Sequence, residues 1–184
     1  MRSILGVTFI ANFFLFSYFP AVQRIGDRIG ATPSQIGLIA AMTGFGMMAG
    51  SFIIGLWEPD RRGLVYICGV AFGMVMLVPF STSSSVFMAA SALFVAAIGS
   101  GFFGATQSTL VLTVVGADMR GRAMGLLSMA IGALPVGTFL LGEIAEQLGA
   151  SSAVVTMAVS GLLLLGVWIT RHGEVLAMRR SADS

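Results

Sequence analysis

The chain has 184 residues, of which 57% are hydrophobic and only 10% charged, with a formal net charge of +2. A soluble domain carries about 25% charged residues, so these side chains are too few to cover a water-exposed surface, and the small net charge gives no footprint for nucleic acid. What remains is an integral membrane protein, and its 24 glycines, about twice the ordinary share, suit helices packed in lipid.

Six stretches are apolar enough to cross a hydrocarbon core about 30 Å thick, which takes ~20 helical residues. The first, "ILGVTFIANFFLFSYFPAVQ", covers 4–23. Arg2 before an apolar run has the outline of a signal peptide, but the run is long and no small-residue cleavage site follows, so a retained span is expected. Span two covers 34–57 and opens on "TPSQ", which reads as a capping box at Thr32 and Gln35 with Pro33 at the first helical position. Span three covers 64–80. From Gly63 to Ala117 the chain has no Asp, Glu, Lys, Arg or His, too long an interval for one helix, and "STSSS" (81–85) is its polar break. Span four covers 86–115.

A short charged loop, "ADMRGR", then leads into span five, 123–146. Pro135 lacks an N–H for the Ile131 carbonyl and should kink this helix, as membrane bundles tolerate. Span six covers 153–170 and ends beside Arg171 and His172, an interfacial flank. The fold expected is all-α: one domain, 1–184, a bundle of six transmembrane helices.

The chain contains no lysine, so arginine sets the orientation. Six spans put both termini on one side. Arg2, Arg61, Arg62, Arg120, Arg122, Arg171, Arg179 and Arg180 fall on that side, against Arg24 and Arg28 on the other. The positive-inside rule makes the termini side cytoplasmic, in a cell or inner membrane. Asp118 is placed to cap span five and to pair with Arg120 or Arg122.

"ADMRGRAMGLLSMAIGALPVGTFLLGEIAEQLG" (117–149) resembles the loop and eleventh helix of major facilitator superfamily transporters, especially bacterial drug and siderophore exporters. Those carry an acidic-x-RGR loop, a glycine- and proline-broken helix, and a closing small-residue run matched here by Gly142, Ala145 and Gly149. "GLWEPDRRGLV" (55–65) is similar to the family's loop between helices eight and nine, with Asp60, Arg61, Arg62 and Gly63 as a degenerate signature. The likeness spans the chain as the C-terminal six-helix half of the family. It implies two inverted three-helix repeats and a substrate held between two halves. It also implies efflux of a small amphipathic solute.

The chain begins at Met1, directly before what resembles helix seven. That leaves two alternatives open: a transporting half that pairs with a second six-helix half or a homodimer, or a non-transporting membrane fragment or scaffold. Besides the bilayer and a small-molecule substrate, no partner is implied, and no nucleic acid.

Under this resemblance the loop residues Asp60, Arg61, Arg62, Asp118, Arg120 and Arg122 would form the cytoplasmic gate. Polar residues at depth are costly unless satisfied or facing a cavity, which selects Asn12, Thr43, Thr106, Gln107 and Ser128 as candidates for the substrate path. Ser108 and Thr109 flank Gln107. Phe13, Phe14, Phe102 and Phe103 are expected in lipid or packing contacts. Gly46 with Gly50, Gly69 with Gly73, and Ser100 with Gly104 stand at the spacing of close helix contacts.

No carboxylate or histidine stands at mid-depth, where a proton-coupling group would be expected. Asp27 and Glu146 are assigned to outer loops and Glu143 to the outer end of span five. One cysteine, Cys68, and one histidine, His172, allow neither a disulfide framework nor a Cys/His metal cluster. No catalytic triad, phosphate loop or cofactor motif is present, so neither an enzyme nor a cofactor is expected.

Overall fold

The computed structural model describes residues 1–177; Arg179 and Arg180, counted above toward the termini side, lie outside the described residues. Among the described residues there is no strand, and six helices have the length and hydropathy to cross a membrane.

Span one is interrupted. It consists of α1 (Arg2–Ile10), a π-helical turn (Ala11–Leu15), a 3-10 turn (Phe16–Tyr18) and α2 (Phe19–Arg28). Pro20 sits in the first turn of α2 and offers no N–H to the Phe16 carbonyl, so the α-helical ladder fails there. The π and 3-10 turns take up the mismatch. The helix then continues past Gln23 to Arg28, beyond the apolar run.

Span two is α3 (Pro33–Trp57). Its capping box is reciprocal: Thr32 N–H donates to Gln35 Oε1 at 2.8 Å, and Gln35 N–H to Thr32 Oγ1 at 3.4 Å. Span three is α4 (Arg62–Ser81). Span four is α5 (Val86–Val114), whose first turn is capped by Ser85, accepting from the Met88 N–H at 3.3 Å. Span five is two helices, α6 (Arg120–Ile131) and α7 (Leu134–Leu148), with Pro135 in the first turn of α7. Gly149 alone joins it to α8 (Ala150–Arg171), span six, at φ +84°. A turn this tight needs a backbone that glycine adopts without strain, and it starts span six three residues before Ala153.

Two expectations are corrected here. Asp27 and Glu146 stand on α2 and α7, not in loops, because both helices outrun their apolar stretches. Asp118 lies in a 3-10 turn (Ala117–Met119) ahead of α6, and the residue at the head of α6 is Met119, with no side-chain cap. Among the described residues Asp118 makes no ion pair with Arg120 or Arg122, while Arg122 Nη1 approaches Met119 Sδ at 3.9 Å. All three charged residues are exposed, where hydration competes well with a short-range pair.

Span two packs along span four, and span five correspondingly on span one. Span three packs on four as span six does on one, and spans three and six meet each other. Exchanging one with four, two with five and three with six maps these pairings onto one another, the pattern of two inverted three-helix repeats. The contact between spans five and six has no counterpart between two and three among these pairings.

Close approach depends on glycine. A methyl group on Gly46 or Gly50 would strike the α5 carbonyls of Phe94 and Ile98, and one on Gly101 would strike the Met47 carbonyl. Gly69 and Gly99 face each other, a methyl on Gly69 falling 2.6 Å from the Gly99 oxygen. Gly73 abuts the Leu15 side chain, whereas Gly104 has nothing within 4 Å. The core, with Ile4, Leu15, Tyr66, Met74 and Phe80 fully enclosed, lies mainly among spans one, three, four and six. Spans two and five are peripheral, with 28% of their most apolar window buried against 56% for spans one and three.

Candidate functional site

Two polar constructions run through this apolar bundle. The first is a buried chain of hydrogen bonds. Gln107 on α5 donates through Nε2 to Thr8 Oγ1 on α1 at 2.9 Å, and Thr8 Oγ1 lies 2.7 Å from the Tyr66 hydroxyl on α4. Tyr66 donates its proton to the Ile4 carbonyl at 3.1 Å. That commitment fixes the rest: the Thr8 hydroxyl donates to Tyr66 and accepts from Gln107, so every link is satisfied. The chain joins spans one, three and four in surroundings where an unmet polar group would be costly. Asn12, within the π turn, donates to the Thr8 carbonyl at 2.8 Å.

Thr43 on α3 is bonded to the Tyr18 hydroxyl at 3.1 Å, tying span two to the break in span one. Ser128 is exposed and donates to the Met124 carbonyl of its own helix at 3.0 Å. Thus, of the five candidates for the substrate path, Asn12, Thr43 and Gln107 are taken up in packing bonds, and Ser128 lies on an exposed face of span five. Thr8 and Tyr66 were not singled out in the sequence, since an isolated threonine or tyrosine in an apolar run gives no signal of a partner two spans away.

The second construction is a cleft of about 220 Å³ at the end of the bundle that carries the termini. Its walls are the last turns of α3, the turn into α4 and the α5 face at Ala105, Thr106 and Thr109. It brings Arg62 and Thr106 together, with Ser51, Glu58 and Thr109 beside them. Glu58 ends α3 in the left-handed region, φ +42°, a position where glycine is the usual residue. Asp60 and Arg61 are exposed and do not line the cleft. Arg122 borders a separate hollow of about 280 Å³ with Met1, Gly116 and Met119.

At the opposite end, along the same pair of helices, an apolar groove of about 470 Å³ is walled by Leu38, Met42, Phe87, Phe94 and Val95. The end opposite the termini is also cross-braced. Arg24 on α2 pairs with Glu146 on α7 at 3.7 Å, and Arg28 donates to the Ser83 carbonyl at 2.7 Å and to Ser151 Oγ. At the termini end Trp168 stacks on His172, ring centroids 4.1 Å apart, and donates to the Ser3 carbonyl at 3.3 Å. His172 therefore serves in packing there; its Nδ1 is buried without a hydrogen-bond partner.

None of these groups assembles a nucleophile with a base, and among the described residues no three His, Cys, Asp or Glu side chains are grouped to hold a metal. The arrangement offers binding surfaces and helix contacts. No curated protein matches the chain. The model of the Major Facilitator Superfamily matches residues 4–181, nearly its full length. With six membrane-length helices paired as inverted repeats, this chain is an integral membrane protein that belongs to the Major Facilitator Superfamily of membrane transporters.

Proposed function

We propose that the chain is one six-helix half of a secondary transporter that exports a small amphipathic solute, with the termini end cytoplasmic. The observation that carries this reading is the termini-end cleft. It gathers the arginine that opens α4, Arg62, and one threonine at membrane depth, Thr106, at a single opening. A bundle serving only as a scaffold would need no polar cavity on one face. The apolar groove farther along the same helix pair supplies the second character an amphipathic solute requires.

A partner half is supported by the exposed faces of spans two and five. Gly37, Ala41, Gly44, Met48, Ser51 and Gly55 are all exposed and recur at alternating four- and three-residue intervals along α3. Gly121, Gly125, Ser128, Gly132 and Pro135 repeat that spacing, exposed, on span five. A methyl on Gly37, Gly44, Gly55, Gly121 or Gly125 would meet nothing within 4 Å. Seams in which all but Met48 are small, or proline, let another helix approach closely. The span-two seam passes through Ser51 and Gly55 on the cleft wall, so the partner would close over the cleft.

The cytoplasmic side rests on arginine placement. The gate role of Arg61, Asp60, Asp118, Arg120 and Arg122 is part of the same proposal, with pairs formed in another state or to the partner. The test is solute export by the complete carrier. Arg62→Ala and Arg120→Ala should each impair export while membrane insertion stays normal. Unchanged export in both would remove the gate assignment.

A further inference from the structure

The two interrupted spans meet at their interruptions. Span one leaves α-helical geometry over residues 11–18 and resumes as α2. Within that break Asn12 Nδ2 donates to the Thr8 carbonyl at 2.8 Å and Ser17 Oγ to the Phe14 carbonyl at 3.2 Å. In span five the ladder slips at the end of α6. The Gly132 N–H still bonds the Ser128 carbonyl at 2.9 Å, but the Ala133 N–H turns to the Ala130 carbonyl at 3.3 Å. Pro135 then withholds an N–H from Ile131. Gly137 stands three residues into α7, about 4.5 Å along its axis. It rests on the π turn of span one so closely that a methyl group there would strike the Phe13 carbonyl.

Each break divides its span into a segment toward the termini end and a far segment, and like segments pair. α6 lies on α1, while α7 lies on the π and 3-10 turns and on α2. The far pair is tied at both ends, by Gly137 on Phe13 at the base and by Arg24 with Glu146 at the tip. Its attachments to the rest of the bundle are mostly apolar. α2 and α7 both pack on α8, and α2 also packs on α3 through Gly26 and Ile36. The buried faces they use carry Ala21, Val22 and Ile25 on α2, and Leu141 and Ala145 on α7. Lipid tails are as apolar as such faces, so these contacts favour no one position strongly. The Tyr18–Thr43 bond falls within the break itself, and α7 runs into α8 through Gly149 alone. The polar attachment is Arg28. Its guanidinium donates to the Ser83 carbonyl, between α4 and α5, at 2.7 Å and to Ser151 Oγ on α8.

We propose that α2 and α7 form one hinged unit that pivots at the paired breaks, and that Arg28 is the latch fastening it to the rest of the bundle. A rigid fork of donors with two partners on different elements fits a single position of the unit, and releasing it frees the end opposite the termini to swing. The Arg24–Glu146 pair lies inside the unit and travels with it. The structure shows the latched arrangement, in which the termini end holds the open cleft. This inference concerns motion within the chain and goes beyond the export reading, on which it does not depend.

The test uses the full chain in lipid nanodiscs, made cysteine-free by Cys68→Ser, with spin labels read by double electron–electron resonance. One label pair, Gln23→Cys with Gln147→Cys, lies within the unit; the other, Gln23→Cys with Ser84→Cys, spans the latch. All three sites are exposed. With Arg28 present both distances should be single. Arg28→Ala removes two hydrogen bonds from a charged group and should raise the share of a longer 23–84 distance by about tenfold or more, while the 23–147 distance stays single. Ser151→Ala, which removes one of the two bonds, should give a smaller rise. Pro20→Ala added to Arg28→Ala should suppress the longer distance, because a straightened span one has no pivot there. Circular dichroism and the melting temperature establish that each variant is folded; should Arg28→Ala fail to fold, Ser151→Ala decides. An unchanged 23–84 distance in the folded variant would overturn the latch. A 23–147 distance that broadens in step with it, or a longer distance that persists with Pro20→Ala, would overturn the hinged unit.

Export is read separately. Loss of export by the complete carrier in Arg28→Ala, with both distances unchanged, would sustain the export reading and overturn the latch. The expected distances in a carrier that exports nothing would sustain the latch and sink the export reading.

Discussion

The Thr8 hydroxyl lies 2.7 Å from the hydroxyl of Tyr66, 58 residues away in the chain, and its proton runs from span one to span three. Through Gln107 the same oxygen also holds span four. One threonine thus fixes the relative depth of three helices in a medium where apolar surface alone does not distinguish one register from another.

Thr8→Val should therefore cost more than the loss of one hydroxyl. It leaves the Gln107 amide without its acceptor and the Tyr66 oxygen without its donor, for about 1–2 kcal/mol. Thermal unfolding in detergent should show the drop. A cycle pairing Thr8→Val with Gln107→Leu should show coupling, the double variant losing less than the two single losses together.

Glycine contacts separate sharply by position. Gly50→Ala must push α3 off the Ile98 carbonyl, at a cost of about 1–3 kcal/mol as for overpacking in a dense core. Gly44→Ala, with open space at its Cβ, should leave the bundle's stability unchanged or raise it by up to ~1 kcal/mol, since alanine loses less backbone freedom in a helix. The two measured side by side in detergent provide the check.

Gly44→Leu extends the contrast to function. It leaves the isolated bundle folded but fills the exposed seam of span two, so it should abolish export by the complete carrier. Wild-type export in this variant would mean that no helix packs on that seam.

The interruption of span one has its own signature. Pro20→Ala restores the N–H that the Phe16 carbonyl lacks, which should straighten the helix between Ala11 and Tyr18. Stability should stay equal or rise by up to ~1 kcal/mol, since proline within a helix is destabilising, while export should slow if this segment bends during transport. Hydrogen exchange at residues 11–18 should become slower in the variant.

The braces at the end opposite the termini should differ in weight. Arg24 and Glu146 are 44% and 68% exposed, so Glu146→Gln should cost at most ~1 kcal/mol, and less at high salt. Arg28→Ala removes bonds to both Ser83 and Ser151 and should cost more, with little salt dependence.

The six spans were legible because lipid imposes a length and a hydropathy on each helix, and the capping box at Thr32 and the break at Pro135 follow from local backbone chemistry. The Pro20 interruption was equally local but was hidden inside an otherwise continuous apolar run. The limits of α2 and α7 were missed because their charged last turns continue the helix past the apolar stretch. Gln107 stood out as polar at depth, but its partners did not: which hydroxyl it meets depends on helix packing, and Thr8 and Tyr66 carry no periodic signal. Asp118 was misplaced because a 3-10 turn, invisible to hydrophobic patterning, precedes the helix it was expected to cap. The cleft had no sequence signature at all, since its wall joins Ser51, Arg62 and Thr106 from three helices.

The account stands or falls on whether that cleft opens to water on the cytoplasmic side. Cys68→Ser gives a cysteine-free chain, and Thr109→Cys then places one thiol on the cleft wall. A membrane-impermeant maleimide should label it in inside-out vesicles and leave it unlabelled in right-side-out cells. Labelling only from the outside, or none from either side in folded protein, would contradict the cytoplasmic opening.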